Sequence, residues 1–295
     1  MFLARVRTDD DQVVLAAQVT PDTLLRLDAL GVVGDDPVAV LREWGAEPLA
    51  EKVRQAVAGG GAEGAVLPVG AVRFESPVPR PQKIICVALN YLAHAEEGDQ
   101  AVPEEPVIFF KPPSSLVGHG ATVHCPSRSQ RLDYEVELAV VIGSTARDVP
   151  AEQWQRVVLG YTVLNDVTAR DLQLVAIDKN QPWDHSKGFD TFAPCGPYLV
   201  TADEVADPMT LDLTLTVGDE VRQRSNTRHM VFGIPELIEV ISHGITLEPG
   251  DIIATGTPSG IGPVPHGEVM TATVEGVGTL ANPVVYDRQL APVAG

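Results

Sequence analysis

The chain has 295 residues, 44% of them hydrophobic, enough to bury a large core, and the length fits one large domain beside a smaller one. Its 40 acidic against 21 basic residues leave a net charge of −19, which argues against nucleic acid or an anionic membrane as a partner. Cys86, Cys125 and Cys195 fit neither a disulfide framework nor a zinc knuckle, no apolar run reaches the ~18 residues of a membrane span, and the N-terminus turns charged at Arg5 and Arg7, so the expected compartment is the cytoplasm.

Residues 1–75 read as a small N-terminal α+β domain. A short β-rich start is followed by amphipathic patterns that predict helices over Pro21–Leu30, Pro37–Trp44 and Pro48–Ala58. The run Gly59-Gly60-Gly61-Ala62-Glu63-Gly64 formally matches the dinucleotide fingerprint G-x-G-x-x-G. That fingerprint must follow a strand and open a helix. Here the run follows a helical pattern and leads toward Pro77, Pro79 and Pro81, so it reads as a loop before a linker.

From residue 80 to 295 the character changes to short β-branched runs punctuated by Gly and Pro: KIICVAL, PVIFF, YEVELAVVIG, GYTVLN, LDLTLTV, DIIATG and VMTATVEG. Only Ala151–Val158 and Val231–Ser242 read as sizeable helices, which disfavours a doubly wound sheet. The expected fold class is α+β, mostly β, with a catalytic domain over 80–295.

Chemistry-bearing residues follow in chain order. His94 and Glu97 stand three apart in NYLAHAEEG; on a helical turn they share a face, and the carboxylate can orient the imidazole as a general base. An idle surface pair has the same spacing. The charged, loop-like segment 98–106 suits a lid over a filled site. In LDYEVELAVVIG, Glu135 and Glu137 point to one side of a strand while Tyr134, Val136, Leu138, Val140 and Ile142 fill the other. Such a pair on an otherwise apolar strand repels unless a cation or protons neutralise it. Ala139 and Val141 continue the glutamate face as apolar, which points to a buried wall with an acidic mouth rather than a wet face.

Asp166 ends the apolar run VVLGYTVLND, ahead of a short helical segment predicted over Thr168–Leu172. It reads either as a cap for that helix or as a third ligand. With Glu135 and Glu137 it makes an all-oxygen set with no His or Cys, which selects magnesium, manganese or calcium over zinc. Lys187, in DHSKGFDTFAPCGP, is either solvated or placed to stabilise negative charge on a substrate oxygen. The segment ATGTPSGIG lacks the G-K-[ST] of a phosphate loop, so Thr257 and nearby N–H groups either meet a carboxylate or form an ordinary turn. Given the overall negative charge, an anionic substrate needs local cations, a metal or a lysine, to attract it.

KIICVALNYLAH, LDYEVELAVVIG, NDVTARDLQ, SNTRHMVF, TGTPSGIG and EGVGTLANPVV, all in register over roughly residues 80 to 286, resemble the fumarylacetoacetate hydrolase family. The resemblance implies a rolled mixed β-sheet catalytic domain and a homodimer. It places metal ligands at Glu135, Glu137 and Asp166, the catalytic histidine and its carboxylate at His94 and Glu97, and substrate contacts at Gln173, Lys187 and Thr257. Two departures, Ala88 where glycine is common and Gly188 where serine often follows the lysine, remove no reacting group. The expected function is magnesium- or manganese-dependent hydrolysis of a carbon–carbon bond in an acylpyruvate-like β-diketo acid, with calcium a third candidate ion. Oxaloacetate decarboxylation and isomerisation of 2-hydroxyhepta-2,4-diene-1,7-dioate are alternatives within the family. A noncatalytic metal-dependent keto-acid-binding protein is the alternative from another class.

Overall fold

The computed structural model describes residues 1–60, 64–98 and 100–287. Strand Val136–Ile142 is its axis, buried along its whole length. Val136, Leu138, Val140 and Ile142 face one core, and Ala139 and Val141 face a second on the opposite side of the same sheet. The alternation read from the sequence is therefore real, and both faces are apolar because both are covered.

This strand pairs antiparallel with Val158–Asn165 on one side and Ile252–Ala254 on the other. Past Ile252–Ala254 the sheet continues through the parallel strand Ile84–Ala88 to Val107–Lys111 at the edge. Past Val158–Asn165 it runs through Ala193–Thr201 to Phe2–Arg7, Val13–Thr20, Thr23–Arg26 and Val66–Pro68. Short strands Arg73–Glu75 and Leu116–Val117 join it from the side, giving 12 strands. The opening strands thus extend the large sheet, with Phe2 and Leu3 opposite Val200 and Leu199.

A 5-stranded sheet, Glu220–Asn226, Asp212–Val217, Val269–Val274, Gly278–Tyr286 and Val123–Cys125, closes the first core. Leu213, Leu215, Met270, Ala272 and Leu280 meet Val136, Leu138 and Val140 there, beside helix Ile234–Ser242. The second core lies under helices Pro37–Trp44 and Ala46–Ala58, whose Val38, Leu41, Leu49 and Val53 join Leu3, Leu15, Leu25 and Val141. The first of these helices starts where the Asp36 side chain accepts the Val38 N–H at 2.9 Å, with Pro37 in the first turn, and stops at Gly45, φ 79°. Parallel and antiparallel pairs mix in one rolled structure, as expected for an α+β, mostly β chain. Among the described residues no helix is long and apolar enough to cross a membrane.

Some local expectations need correction. The stretch Pro21–Leu30 is not a helix: Thr23–Arg26 is a strand between Val13–Thr20 and Val66–Pro68, followed by a single 3-10 turn at Asp28–Leu30. Leu24 and Leu25 enter opposite cores, which a strand covered on both faces permits. Ala151–Arg156 is 3-10 rather than α-helical, and Val158 already belongs to the next strand. The C-terminal helix begins at Ile234, after Gly233, rather than at Val231. Thr168–Ala169 pairs with Leu132–Asp133, so the helix predicted from Thr168 starts at Arg170 and runs to Asp178. Within the glycine run, 61–63 lie outside the described residues; Gly59 and Gly60 end the preceding helix in a turn, not a strand.

Candidate active site

Glu135 stands just before the central strand and is stitched to the end of its neighbour. Its N–H donates to Asn165 Oδ1 at 2.8 Å, and the Asp166 N–H donates to the Glu135 carbonyl at 2.9 Å. Those bonds fix Asp166 beside the glutamate face. Carboxylate oxygens of Glu135, Glu137 and Asp166 all lie within 4.8 Å of one another, and all three residues are buried. Asp166 is not a helix cap: the next helix has Ala169 at its N-cap and no side-chain cap bond.

Three cations answer these acids. Lys187 Nζ donates to Glu135 Oε2 at 2.7 Å and to Asp166 Oδ2 at 2.6 Å. Lys111 Nζ, on the sheet's edge strand, donates to Asp166 Oδ1 and to the Val167 carbonyl. Arg170 donates to Glu135 Oε1, to Asp133 Oδ2 at 2.9 Å and to the Gln173 side-chain oxygen. Burial alone would raise the Glu135 carboxyl, but Lys187 and Arg170 outweigh it and hold it well below the usual range. The ammonium of Lys187, which burial would discharge, is held charged by Asp166 and Glu135.

Glu137 differs from its neighbours. Its polar contact is the Gly256 N–H, donated at 2.8 Å, and no cationic side chain pairs with it among the described residues. Burial, then the charges of Asp166 and Glu135, raise its carboxyl well above the ordinary value. A buried acid without a counter-charge beside two others is the setting that a bound cation completes. In an octahedral magnesium site opposite oxygens stand roughly 4.2 Å apart, and around calcium roughly 5 Å. The donor type suits a hard divalent ion, and a spacing of up to 4.8 Å falls within the span around calcium and slightly beyond that around magnesium.

Across the cavity, helix Leu92–Glu97 carries the histidine. His94 Nδ1 lies 3.4 Å from Glu97 Oε2, and the Gly260 N–H reaches both Glu97 carboxylate oxygens at 3.1 Å. Gly260 has φ +98°, and a Cβ there would fall 2.2 Å from the Arg222 carbonyl, so this donor depends on glycine. Thr257 lines the cavity, yet its hydroxyl already donates to the Val136 carbonyl and accepts from Gln223, each at 2.9 Å. It shapes the wall more than it offers a free donor.

The cavity encloses about 300 Å³. His94, Glu97, Glu135, Glu137, Asp166, Gln173, Lys187 and Thr257 all line it, so the structure brings together every site residue expected from the sequence. Of the proposed lid segment, Gly98 and Gln100 line the cavity, and Asp99 lies outside the described residues. Sequence reasoning missed Lys111 and Arg170. Arg170 sat within the NDVTARDLQ motif; Lys111 gave only the faint signal of a lysine closing an apolar strand. Of the two departures, Ala88 ends its strand before Leu89, whose φ is +56°, and a Cβ at Gly188 would press on Pro112 at 3.2 Å.

A family model described as Fumarylacetoacetate (FAA) hydrolase C-terminal matches residues 83–285. An uncharacterized protein of Pyrococcus abyssi is 56% identical over 211 residues, 72% of this chain and 93% of that protein. The mitochondrial oxaloacetate tautomerase FAHD2A of Bos taurus is 46% identical over 227 residues, 75% of this chain and 72% of the bovine protein. The crystal structure of maleylpyruvate hydrolase from Sphingobium sp. SYK-6 in complex with manganese(II) and pyruvate superimposes with a TM-score of 0.80 at 37% identity, covering 98% of this chain and 100% of that one.

Proposed function

Because the chain belongs to the fumarylacetoacetate hydrolase family, which includes oxaloacetate tautomerases and maleylpyruvate hydrolases, we propose that it is a divalent-metal-dependent hydrolase cleaving a carbon–carbon bond in an acylpyruvate-type β-diketo acid. The observation that carries this reading is the His94–Glu97 pair, held by the Gly260 N–H over a cavity that also contains Glu135, Glu137 and Asp166. A metal site alone suffices to stabilise an enolate. A general base beside it adds the means to activate water.

The cation that Glu135, Glu137 and Asp166 would hold, magnesium or manganese ahead of calcium, supplies chelation of the substrate carboxylate and the adjacent keto oxygen. With Nδ1 of His94 turned to Glu97, Nε2 is left to take a proton from water. The water oxygen bonds to the distal carbonyl carbon, and Glu97 stabilises the imidazolium. The bond between that carbon and the central methylene then breaks, its electron pair passing to the pyruvate portion as an enolate. Lys187 Nζ, fixed by Glu135 and Asp166, would favour the enolate oxygen. His94 returns its proton to the methylene carbon, giving pyruvate and a second acid.

The test is a panel of acylpyruvates, fumarylpyruvate, oxaloacetate and dienedioates, run with manganese or magnesium and again with chelator. His94→Ala should lower hydrolysis by roughly 10²–10⁴-fold while keeping the metal-induced rise in melting temperature. Wild-type rates in that variant would remove the base from the mechanism. A second reading, tautomerisation of oxaloacetate, is favoured by the 46% identity to the bovine tautomerase. It moves protons without consuming water, so decay of oxaloacetate enol with no hydrolysis anywhere on the panel would establish it.

A further inference from the structure

The cavity lining mixes the acids, Lys187, Arg170 and Gln173 with Val107, Phe109, Leu174, Ile177, Trp183 and Ile261. Phe109 lies against the charged cluster, its ring 5.1 Å from Lys187 Nζ and 4.7 Å from the Trp183 ring. Val107, at the opposite end of the strand that closes with Lys111, and Ile177, about two turns beyond Arg170 on its helix, stand farther from the acids. Several wall residues are bare to solvent although strongly apolar: Leu174 is 53% exposed, Ile177 44% and Val107 39%. Leu174 and Ile177 lie on the helix that begins with Arg170, about one and two turns beyond the charge it offers to the acids. Exposed apolar side chains gathered at the rim of a polar cavity mark where an apolar ligand part is covered.

Charge bookkeeping points the same way. Among the described lining residues the fixed cations are Lys187 and Arg170, against the acids Glu97, Glu135, Glu137 and Asp166. Both cations are already engaged, Lys187 by Glu135 and Asp166, Arg170 by Asp133 and Glu135. A single carboxylate at the keto-acid end has metal and lysine to meet it. A second carboxylate seated on Leu174, Ile177 and Val107 would find no free cation among the described lining residues and would leave the apolar contact of that rim unused. At about 300 Å³ the cavity has more room than a three-carbon keto acid requires.

We propose that the substrate is a monocarboxylate whose distal acyl group is uncharged alkyl or aryl, seated on Leu174, Ile177 and Val107, and that the apolar wall discriminates against diacids. This rests on the hydrolytic reading above and narrows its substrate class.

The test uses a matched pair: pentanoylpyruvate and its diacid analogue, in which the terminal methyl is a carboxylate. The manganese-loaded protein is assayed for kcat/KM on both, and binding of both is measured by calorimetry with His94→Ala, which reads tail preference without turnover. The expected result is at least about tenfold preference for the alkyl compound in both measurements, equivalent to about 1.4 kcal/mol. Leu174→Lys, at a position exposed enough to accept a lysine, should shrink that preference by raising kcat/KM for the diacid. Leu174→Glu should widen it. Equal or better binding of the diacid by the parent site overturns the inference even if hydrolysis is confirmed. An alkyl preference in binding with no turnover of either compound leaves the inference standing and removes the hydrolase. Failure of both compounds to bind overturns both.

Discussion

Replacing Glu137 by glutamine is expected to stabilise the metal-free protein while weakening its response to metal. The carboxylate oxygens of the three acids lie within 4.8 Å, yet the lysines and Arg170 attend only Glu135 and Asp166. Two like charges at that spacing repel by roughly 3 kcal/mol at an effective dielectric constant of about 20. Glu137 has two such neighbours, and partial compensation by Lys187 leaves a net cost on the order of 2–3 kcal/mol. Glutamine keeps an oxygen to accept the Gly256 N–H and removes the charge. At roughly 2–4 °C per kcal/mol, the metal-free midpoint should rise by about 5–10 °C. The pH dependence has a definite sign. Burial, Asp166 and Glu135 raise the Glu137 carboxyl above its ordinary value of 4.5, so its favourable contribution is present below that value and lost as pH rises through the folded one. The gap between variant and wild type must therefore widen from pH 5 to pH 8. Manganese at about 100 times its Kd would stabilise the wild type by about 2.7 kcal/mol, and the variant by clearly less, having lost one of three ligands. Calorimetric melts of chelator-treated protein, with and without manganese, measure both effects. A metal-free variant that melts below the wild type at pH 8, or one that keeps the full manganese shift, would refute the reasoning.

Two further perturbations probe the supporting network. Lys111→Met removes a fully buried cation from Asp166, and should destabilise the metal-free protein by about 3–5 kcal/mol in urea titrations; a loss below about 1 kcal/mol would show that Lys187 alone balances that acid. His119 is held below its ordinary value of 6.5, chiefly by burial, so the unfolded chain takes up the proton first. Its contribution is complete above about pH 6.5 and fades as pH falls through the window beneath. Melting temperatures between pH 7.5 and 5.5 should fall less steeply in His119→Gln; identical slopes would exclude this histidine as the cause.

The parts of the site that were legible in the sequence are those fixed over a few residues. The E-x-E alternation spans the start of one strand, with Glu135 just before it and Glu137 inside it, and it predicted both their convergence and the apolar continuation through Ala139 and Val141. His94 and Glu97 needed only one helical turn. Asp166 was readable as a strand end, but its choice between cap and cavity depended on Asn165 reaching back to Glu135. The role of Lys111 could not be read because its partner lies 55 positions away, brought near only by the order of strands. The helix expected at Pro21–Leu30 failed for a related reason: adjacent leucines suit a helical stripe and a strand buried on both faces equally well, and pairing with Val66–Pro68 decides between them.

The junction of Phe2–Arg7 with Ala193–Thr201 matters to anyone who would shorten this protein. Removing the opening strands would bare backbone donors and acceptors along a segment that starts six residues after Lys187. An open, apolar strand margin of that kind recruits other chains. A trimmed form should therefore precipitate or self-associate before its chemistry can be assayed, and loss of activity in such a form would say nothing about which residues catalyse.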